Sequence, residues 1–470
     1  MLTLSKNFVL PASLTRRNVL IVAAAIGAGL FFGLLVPVYA GLMGASVAKL
    51  AALPAVLALL LLLVYDAKTL FIGILLFRSV GDIVLETTRF SVGGADLGVG
   101  AFVNAAVIGM AVLFSAQRPH WFPRKLAGMW LPFTLICLGA LVIAPVKGEA
   151  IRVFLALLSY LAMFISGTYL VRSRDDFVRV VRLVVLSSIL PACYAFVDIA
   201  LNHADVPFRL RSTFGHANIF AFYLLLILSL SLYLIKSPHV TLRPLWRWTL
   251  TGYMVLLLGM LVLTQTRSAW IACVAVFAIY ALFFERKYLI YLALAPVLAL
   301  MIPTVRDRIM SLDSGNDAVQ YAKLNSFAWR VLLWESGLHF MRPVRYAFGY
   351  GLEAFRYYSL DFFPLAGGIN WSPHNLYVQW IFDIGLVGLT SYLSIFARVL
   401  LRIRKLLAVD RLAAVILIAV TIAYLIVSAS DNLFAYLAFN WYFWVVLGSA
   451  CALVSVELDA PPAAAGSVRR

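Results

Sequence analysis

Apolar residues along this chain do not alternate with polar ones; they run in blocks of about 18 to 25, separated by short polar clusters, over nearly its full length. A helix of that length crosses the roughly 30 Å hydrocarbon layer of a bilayer and satisfies its own backbone hydrogen bonds there. Candidate spans cover 19–36, 47–65, 69–86, 97–115, 127–145, 151–171, 178–201, 218–235, 249–264, 268–284, 288–304, 374–397, 412–429 and 435–456. The pattern therefore predicts an all-α, polytopic membrane protein of about 12–14 transmembrane helices. The third and eleventh spans are the weakest of the set.

The one long polar interruption is 305–373, which divides the chain into four parts. Residues 1–304 form an N-terminal set of spans, 305–373 a large loop, 374–456 a C-terminal set, and 457–470 a Pro/Ala-rich tail of disordered composition. Long loops without structure are uncommon unless they carry function. Within this one, Phe327, Val331, Trp334, Leu338 and Met341 recur at helical spacing behind Asn325 and Ser326, either of which can cap. That spacing predicts one amphipathic helix lying on the membrane face.

Composition agrees: of 470 residues 63% are hydrophobic and only 13% charged, yet the net charge is +17. The basic residues explain themselves by position. Arg16 and Arg17, Arg118 to Lys125, Arg172 to Arg182, Lys236 to Arg247, Arg286 and Lys287, and Arg398 to Lys405 fall in alternate loops. Cytoplasmic loops retain Lys and Arg, so both termini are expected in the cytoplasm and 305–373 on the outer side. Anionic lipid headgroups account for the charge, and no nucleic-acid partner is implied. The first span, although followed by small residues near Ala40, reads as an uncleaved signal anchor. Cys137, Cys193, Cys273 and Cys451 lie in apolar runs without paired or metal-ligand spacing and are expected as small core residues.

Charged residues inside spans need partners. Arg78 and Asp82, at i,i+4, share a helix face and are expected as an ion pair. The more informative arginines stand on the outer side against the topological trend: Arg209 and Arg211 in F-R-L-R-S-T-F-G-H-A-N, Arg267 in T-R-S-A-W, and Arg330 in the loop helix. The loop acids Asp307, Asp313, Asp317, Glu335, Glu353 and Asp361 could pair with them, but the segments holding Arg209, Arg211 and Arg267 carry almost no acid. A guanidinium fork matches phosphate oxygens two at a time, so a phosphate-bearing ligand is the alternative. The stretch W-S-P-H-N-L-Y-V-Q-W-I-F-D-I-G-L-V-G places His374 and Asn375 where a span begins. On one continuous helix Gly385 and Gly388 would return to the face of His374, and small residues there would let a neighbouring helix approach.

His374-Asn375, nine residues, then Gly385-x-x-Gly388 resembles the signature of bacterial O-antigen ligases. T-R-S-A-W at Arg267 and R-x-x-x-W from Arg330 to Trp334 resemble the family's other marked stretches, and the order of spans, late outer loop and histidine motif also matches. Arg209 and Arg211 both stand near the family's arginine before F-G-x-x-N, with His216 and Asn218 following. The resemblance implies a GT-C-like membrane glycosyltransferase of the bacterial inner membrane with its active site facing the periplasm. It implies a polysaccharide donor on undecaprenyl pyrophosphate and a lipid A-core acceptor. It further implies His374 as general base, the four arginines on the pyrophosphate, and Asn375, Trp334, Asn218, His216, Gly385 and Gly388 in support. Transfer is expected to invert the anomeric carbon without metal or other cofactor, arginine doing what a divalent ion does elsewhere. O-antigen polymerases and protein O-oligosaccharyltransferases share much of the pattern and stay open. So does a transporter of lipid-linked anions, which would need arginines but no base.

Overall fold

The computed structural model describes residues 66–82, 90–92, 95–97, 99–202, 208–301, 306 and 326–459. The spans expected at 19–36 and 47–65, most of the outer loop before 326 and the tail after 459 lie outside them. Apart from one hairpin, Phe90–Val92 paired antiparallel with Ala95–Leu97, the described chain is helical. Helix α1 covers 66–77 and is followed by α2 (Val99–Gln117), α3 (Leu131–Ile143), α4 (Lys147–Leu170), α5 (Arg174–Leu186) and α6 (Ile189–Asn202). Then come α7 (Ala217–Lys236), α8 (Pro244–Leu263), α9 (Arg267–Phe283), α10 (Tyr288–Leu300) and α11 (Ser326–Phe340). Last are α12 (Arg345–Phe348), α13 (Ala354–Phe362), α14 (Leu376–Arg404), α15 (Arg411–Val427) and α16 (Leu437–Val454). Among the described residues six helical runs are long and apolar enough to cross a membrane, and four shorter apolar helices pack with them. This is an all-helical polytopic membrane protein.

Helices α7 and α16 form its centre, with nearly every residue buried. Against α16 lies α4, at a separation that only glycine permits: a Cβ on Gly448 would run into the Phe164 carbonyl, and one on Gly167 into that of Val445. Small residues at a crossing let helix backbones meet, which is how membrane helices gain packing energy without a hydrophobic driving force. Polar clasps reinforce the contact, Trp441 Nε1 donating to Ser159 Oγ at 2.9 Å and the Tyr160 hydroxyl to the Phe434 carbonyl at 2.7 Å. Arg78 Nη1 meets Asp82 at 2.6 Å, the pair expected from their spacing, and its guanidinium lies 5.4 Å from the Trp441 ring centre.

The two ends of the bundle differ in chemistry. At one end Lys236 pairs with Glu285 (2.6 Å), Arg174 with Glu457 (3.1 Å), and the Tyr233 hydroxyl donates to Asp410 (2.7 Å). The opposite end, where α7 begins and α15 finishes, gathers Arg209, His216, Arg330, His374 and Asp431.

Three expectations are corrected here. Helix α14 is not continuous: Gly385 has φ 72° and ψ 179°, and Trp380 and Tyr392 approach to 6.0 Å between ring centres. Twelve residues of straight helix would separate them by about 18 Å. A short arm, 376–384, therefore turns sharply into the long arm, 386–404. His374 precedes the helix with φ 49°, so it shares no register with Gly385 or Gly388. The close approach at Gly385 is real, but it comes from the backbone of Ala347 and Phe348, while Gly388 packs on Ile384 of its own helix. Second, α11 turns inward a face that only partly matches its spacing: Trp334, Leu338 and Met341 join the packing, but the face is centred elsewhere. Leu333 and Gly337 are buried and Phe327 is exposed, because the helix packs with Phe355, Phe363, Val378 and Phe382 in a small core of its own. Third, Cys193 is exposed, whereas the other three cysteines are buried.

The α4–α16 contact predicts a graded effect of added methyl groups. Gly448→Ala should destabilise the detergent-solubilised protein by about 1–3 kcal/mol or more, seen as a lower thermal midpoint. Gly252→Ala, whose methyl would meet nothing within 4 Å, should leave the midpoint unchanged or raise it.

Candidate functional site

Five chain segments meet at the second end, each held by a local device. The first is 208–218. The Asp198 carboxylate accepts the backbone N–H of Arg211 (3.1 Å) and Ser212 (2.8 Å), and Ser212 takes a left-handed φ of 53°. This turn sends Arg209 inward: Nε donates to the Thr264 carbonyl at 3.0 Å, and Nη2 to Asn218 Oδ1 at 2.6 Å and Thr266 Oγ1 at 3.1 Å. Arg211 is exposed, and among the described residues its guanidinium makes no hydrogen bond or ion pair. His216 caps α7, its Nδ1 accepting from the backbone N–H of Asn218 at 3.1 Å. Thr266, in the second segment, immediately precedes Arg267, which is half-buried at the first turn of α9.

Helix α11 supplies the third segment. Arg330 and Trp334 stand one turn apart on the same face. Arg330 Nη1 donates to the Ser430 carbonyl and Trp334 Nε1 to the Pro373 carbonyl, both at 2.6 Å. One helix face thus clamps the two remaining segments, and these carry His374 and Asp431. Asn375 caps the short arm of α14 by accepting from the backbone N–H groups of Tyr377 (3.0 Å) and Val378 (3.2 Å), while Leu376 N–H reaches the Ser428 carbonyl at 2.8 Å. His374, pinned between these contacts, keeps a φ of 49° that a side-chain-bearing residue holds only when its surroundings dictate it.

The chemistry centres on Asp431. Buried at 4% exposure, its carboxylate accepts Asn218 Nδ2 at 2.7 Å and the Asn432 N–H at 2.9 Å, and lies 4.0 Å from His374 Nδ1. That last separation is too long for a hydrogen bond but close enough for electrostatic coupling. Partial burial pushes the His374 pKa below its ordinary value of 6.5, Arg330 and His216 push the same way, and Asp431 opposes them. The His216 pKa is lowered too, by burial and by Arg209. Both imidazoles are consequently neutral near pH 7. A neutral, 45%-exposed imidazole beside fixed guanidinium groups can accept a proton where an anion is also held.

Of the residues singled out from sequence, Arg209, His216, Asn218, Arg330, His374 and Asn375 meet here, with Trp334 as a clamp and Arg267 next to Thr266. Arg211 contributes its backbone, and Gly385 and Gly388 lie at the elbow beyond. Sequence reasoning missed Asp431. Its signal is a lone acid in S-A-S-D-N between two apolar runs.

The fold and the site together define a polytopic helical membrane protein whose His and Arg side chains converge at one end of the bundle, a set of groups able to hold an anion. The family comparison narrows this: residues 252–393 match the family model described as O-Antigen ligase. The match contains Arg267, Arg330, Trp334 and His374; Arg209, Asn218 and Asp431, which complete the cluster, lie outside it. No curated protein matches the chain.

The opposing charges around His374 predict opposite shifts in its titration, measurable by NMR of the labelled imidazole without any assay. The wild-type value should fall below 6.5. Asp431→Asn removes the group that favours the imidazolium and should lower it further; Arg330→Gln removes a cation and should raise it.

Proposed function

We propose that this protein is an O-antigen ligase, transferring polysaccharide from undecaprenyl pyrophosphate to a lipid A-core hydroxyl on the periplasmic side. The observation that carries the reading is the placement of neutral His374 between Arg330 and Asp431, within a chain whose residues 252–393 match the ligase family. His374 takes the proton from the acceptor hydroxyl as that oxygen attacks the anomeric carbon. Asp431 favours the imidazolium that forms, by its charge across 4.0 Å. The anomeric C–O bond breaks as the new one forms, its electron pair leaving with the pyrophosphate, so a single displacement inverts the centre. Arg330, Arg267 and Arg209 stabilise the departing charge, and Arg211, exposed beside them, can meet the incoming donor. Guanidinium groups suffice for this without a divalent ion.

The cytoplasmic placement of both termini accords with this arrangement. The site lies at the end of the bundle opposite Arg174, Lys236 and Glu457, the end that the positive-inside rule places in the cytoplasm.

Reconstitution with purified lipid-linked polysaccharide and lipid A-core tests the reading. Ligation should proceed in EDTA; a protein that leaves lipid A-core unmodified, or that extends the donor or glycosylates protein instead, is a polymerase or protein transferase and the proposal fails. His374→Ala should retain donor binding and lose about 10²- to 10⁴-fold in rate. The wild-type rate should fall on acidification through an apparent pKa below 6.5, since protonation removes the base. Arg330→Lys with Arg267→Lys should restore only part of the activity that alanine removes; full activity would count against paired recognition of the pyrophosphate.

A further inference from the structure

The elbow at Gly385 also sets a depth. From Leu386 to Arg404 the long arm of α14 rises roughly 28 Å, about the thickness of the hydrocarbon layer. Its basic end is Arg402 and Arg404, so Gly385 lies near the hydrocarbon boundary on the His374 side. Against Gly385 packs the backbone of Ala347 and Phe348, which puts the segment Arg342–Phe348 at headgroup level. Its outward side chains are of two kinds. Val344 and Phe348 are 76% and 63% exposed, beside the exposed Leu386 and Val387 at the top of the long arm. Arg342 and Arg345 are exposed between them. Arg345 Nη1 donates to the Gly349 carbonyl at 3.0 Å and its guanidinium lies 5.1 Å from the Tyr350 ring centre, which fixes its direction. Among the described residues neither arginine forms an ion pair, and the Arg342 guanidinium makes no hydrogen bond.

We propose that Arg342, Val344, Arg345 and Phe348 form a binding site for an anionic phosphate-bearing lipid in the leaflet on the His374 side. The arginines meet the headgroup phosphate, and Val344 and Phe348 enter the acyl region beneath it. A soluble phosphate would use the arginines alone, and would leave two large apolar side chains exposed beside them for no gain. Two arginines on this side run against the distribution expected of a membrane protein, and a lipid phosphate supplies the counter-charge. The surface is separate from the His374 cluster and uses none of its residues.

Native mass spectrometry of the full-length protein in detergent, with equal phosphatidylglycerol and phosphatidylcholine, tests this. The wild type should retain phosphatidylglycerol preferentially. Arg342→Gln with Arg345→Gln should weaken its binding by roughly 30-fold, about five-fold for each arginine, without changing phosphatidylcholine retention. Val344→Ser with Phe348→Ser, which keeps both charges, should weaken it as well. Wild-type retention in either double variant would overturn the proposal. So would displacement of phosphatidylglycerol by millimolar inorganic phosphate, the mark of a soluble-anion site.

Discussion

Gly385 adopts a backbone conformation, φ 72° and ψ 179°, that a residue with a Cβ does not reach without strain, and the site depends on it. Because the chain turns there, the arm 376–384 lies across the bundle end instead of continuing outward. The turn is held from outside by Ala347 and Phe348 and from within by Asp383, whose buried carboxylate accepts the N–H groups of Glu353 (3.0 Å) and Phe355 (2.9 Å). Those bonds satisfy the first turn of α13 and tie that helix to the elbow. With the short arm fixed, Leu376 reaches Ser428, and the loop bearing Asp431 comes to rest beside His374.

The polar cluster at that end is stabilised by mutual compensation. Asp431 is buried 4.0 Å from the His374 imidazole, and its donors are themselves held, Asn218 by Arg209 and Asn432 by Gln379. Removing the Asn218 amide would leave the buried Asp431 carboxylate short of a donor, at a cost of about 1–3 kcal/mol. Burial and the Arg330 charge keep His374 neutral while Asp431 opposes them, which leaves an imidazole able to accept a proton. Arg330 and Trp334 add mechanical definition by clamping the carbonyls of Ser430 and Pro373.

Much of this was legible in the residues. Apolar blocks set the class of protein, because backbone groups in lipid must be satisfied within each segment and only a helix of sufficient length does so. Arginines placed against the topological trend marked Arg209, Arg267 and Arg330, since an uncompensated cation at a lipid boundary is costly whatever the fold. The His374-Asn375 and Gly385-x-x-Gly388 spacing pointed to the family, although the physical reason first assigned to it, one helix face, was incorrect. The glycine serves an elbow, and spacing along a chain cannot distinguish a residue that admits a neighbouring helix from one that ends its own.

Tertiary structure alone decided which polar groups meet. Asp431 and Asn218 are 213 residues apart and bond at 2.7 Å, and Arg330 lies 100 residues from the carbonyl it holds. Local sequence carries no record of such pairings, because nothing in S-A-S-D-N distinguishes a solvated acid from one buried and bonded to a distant asparagine. Arg209 and Arg211 likewise part at the turn at Ser212, which aims one side chain inward and leaves the next exposed. Hydropathy is additive along the chain and can be read there; the direction of a side chain depends on backbone dihedrals fixed by distant contacts, and only the folded protein contains those.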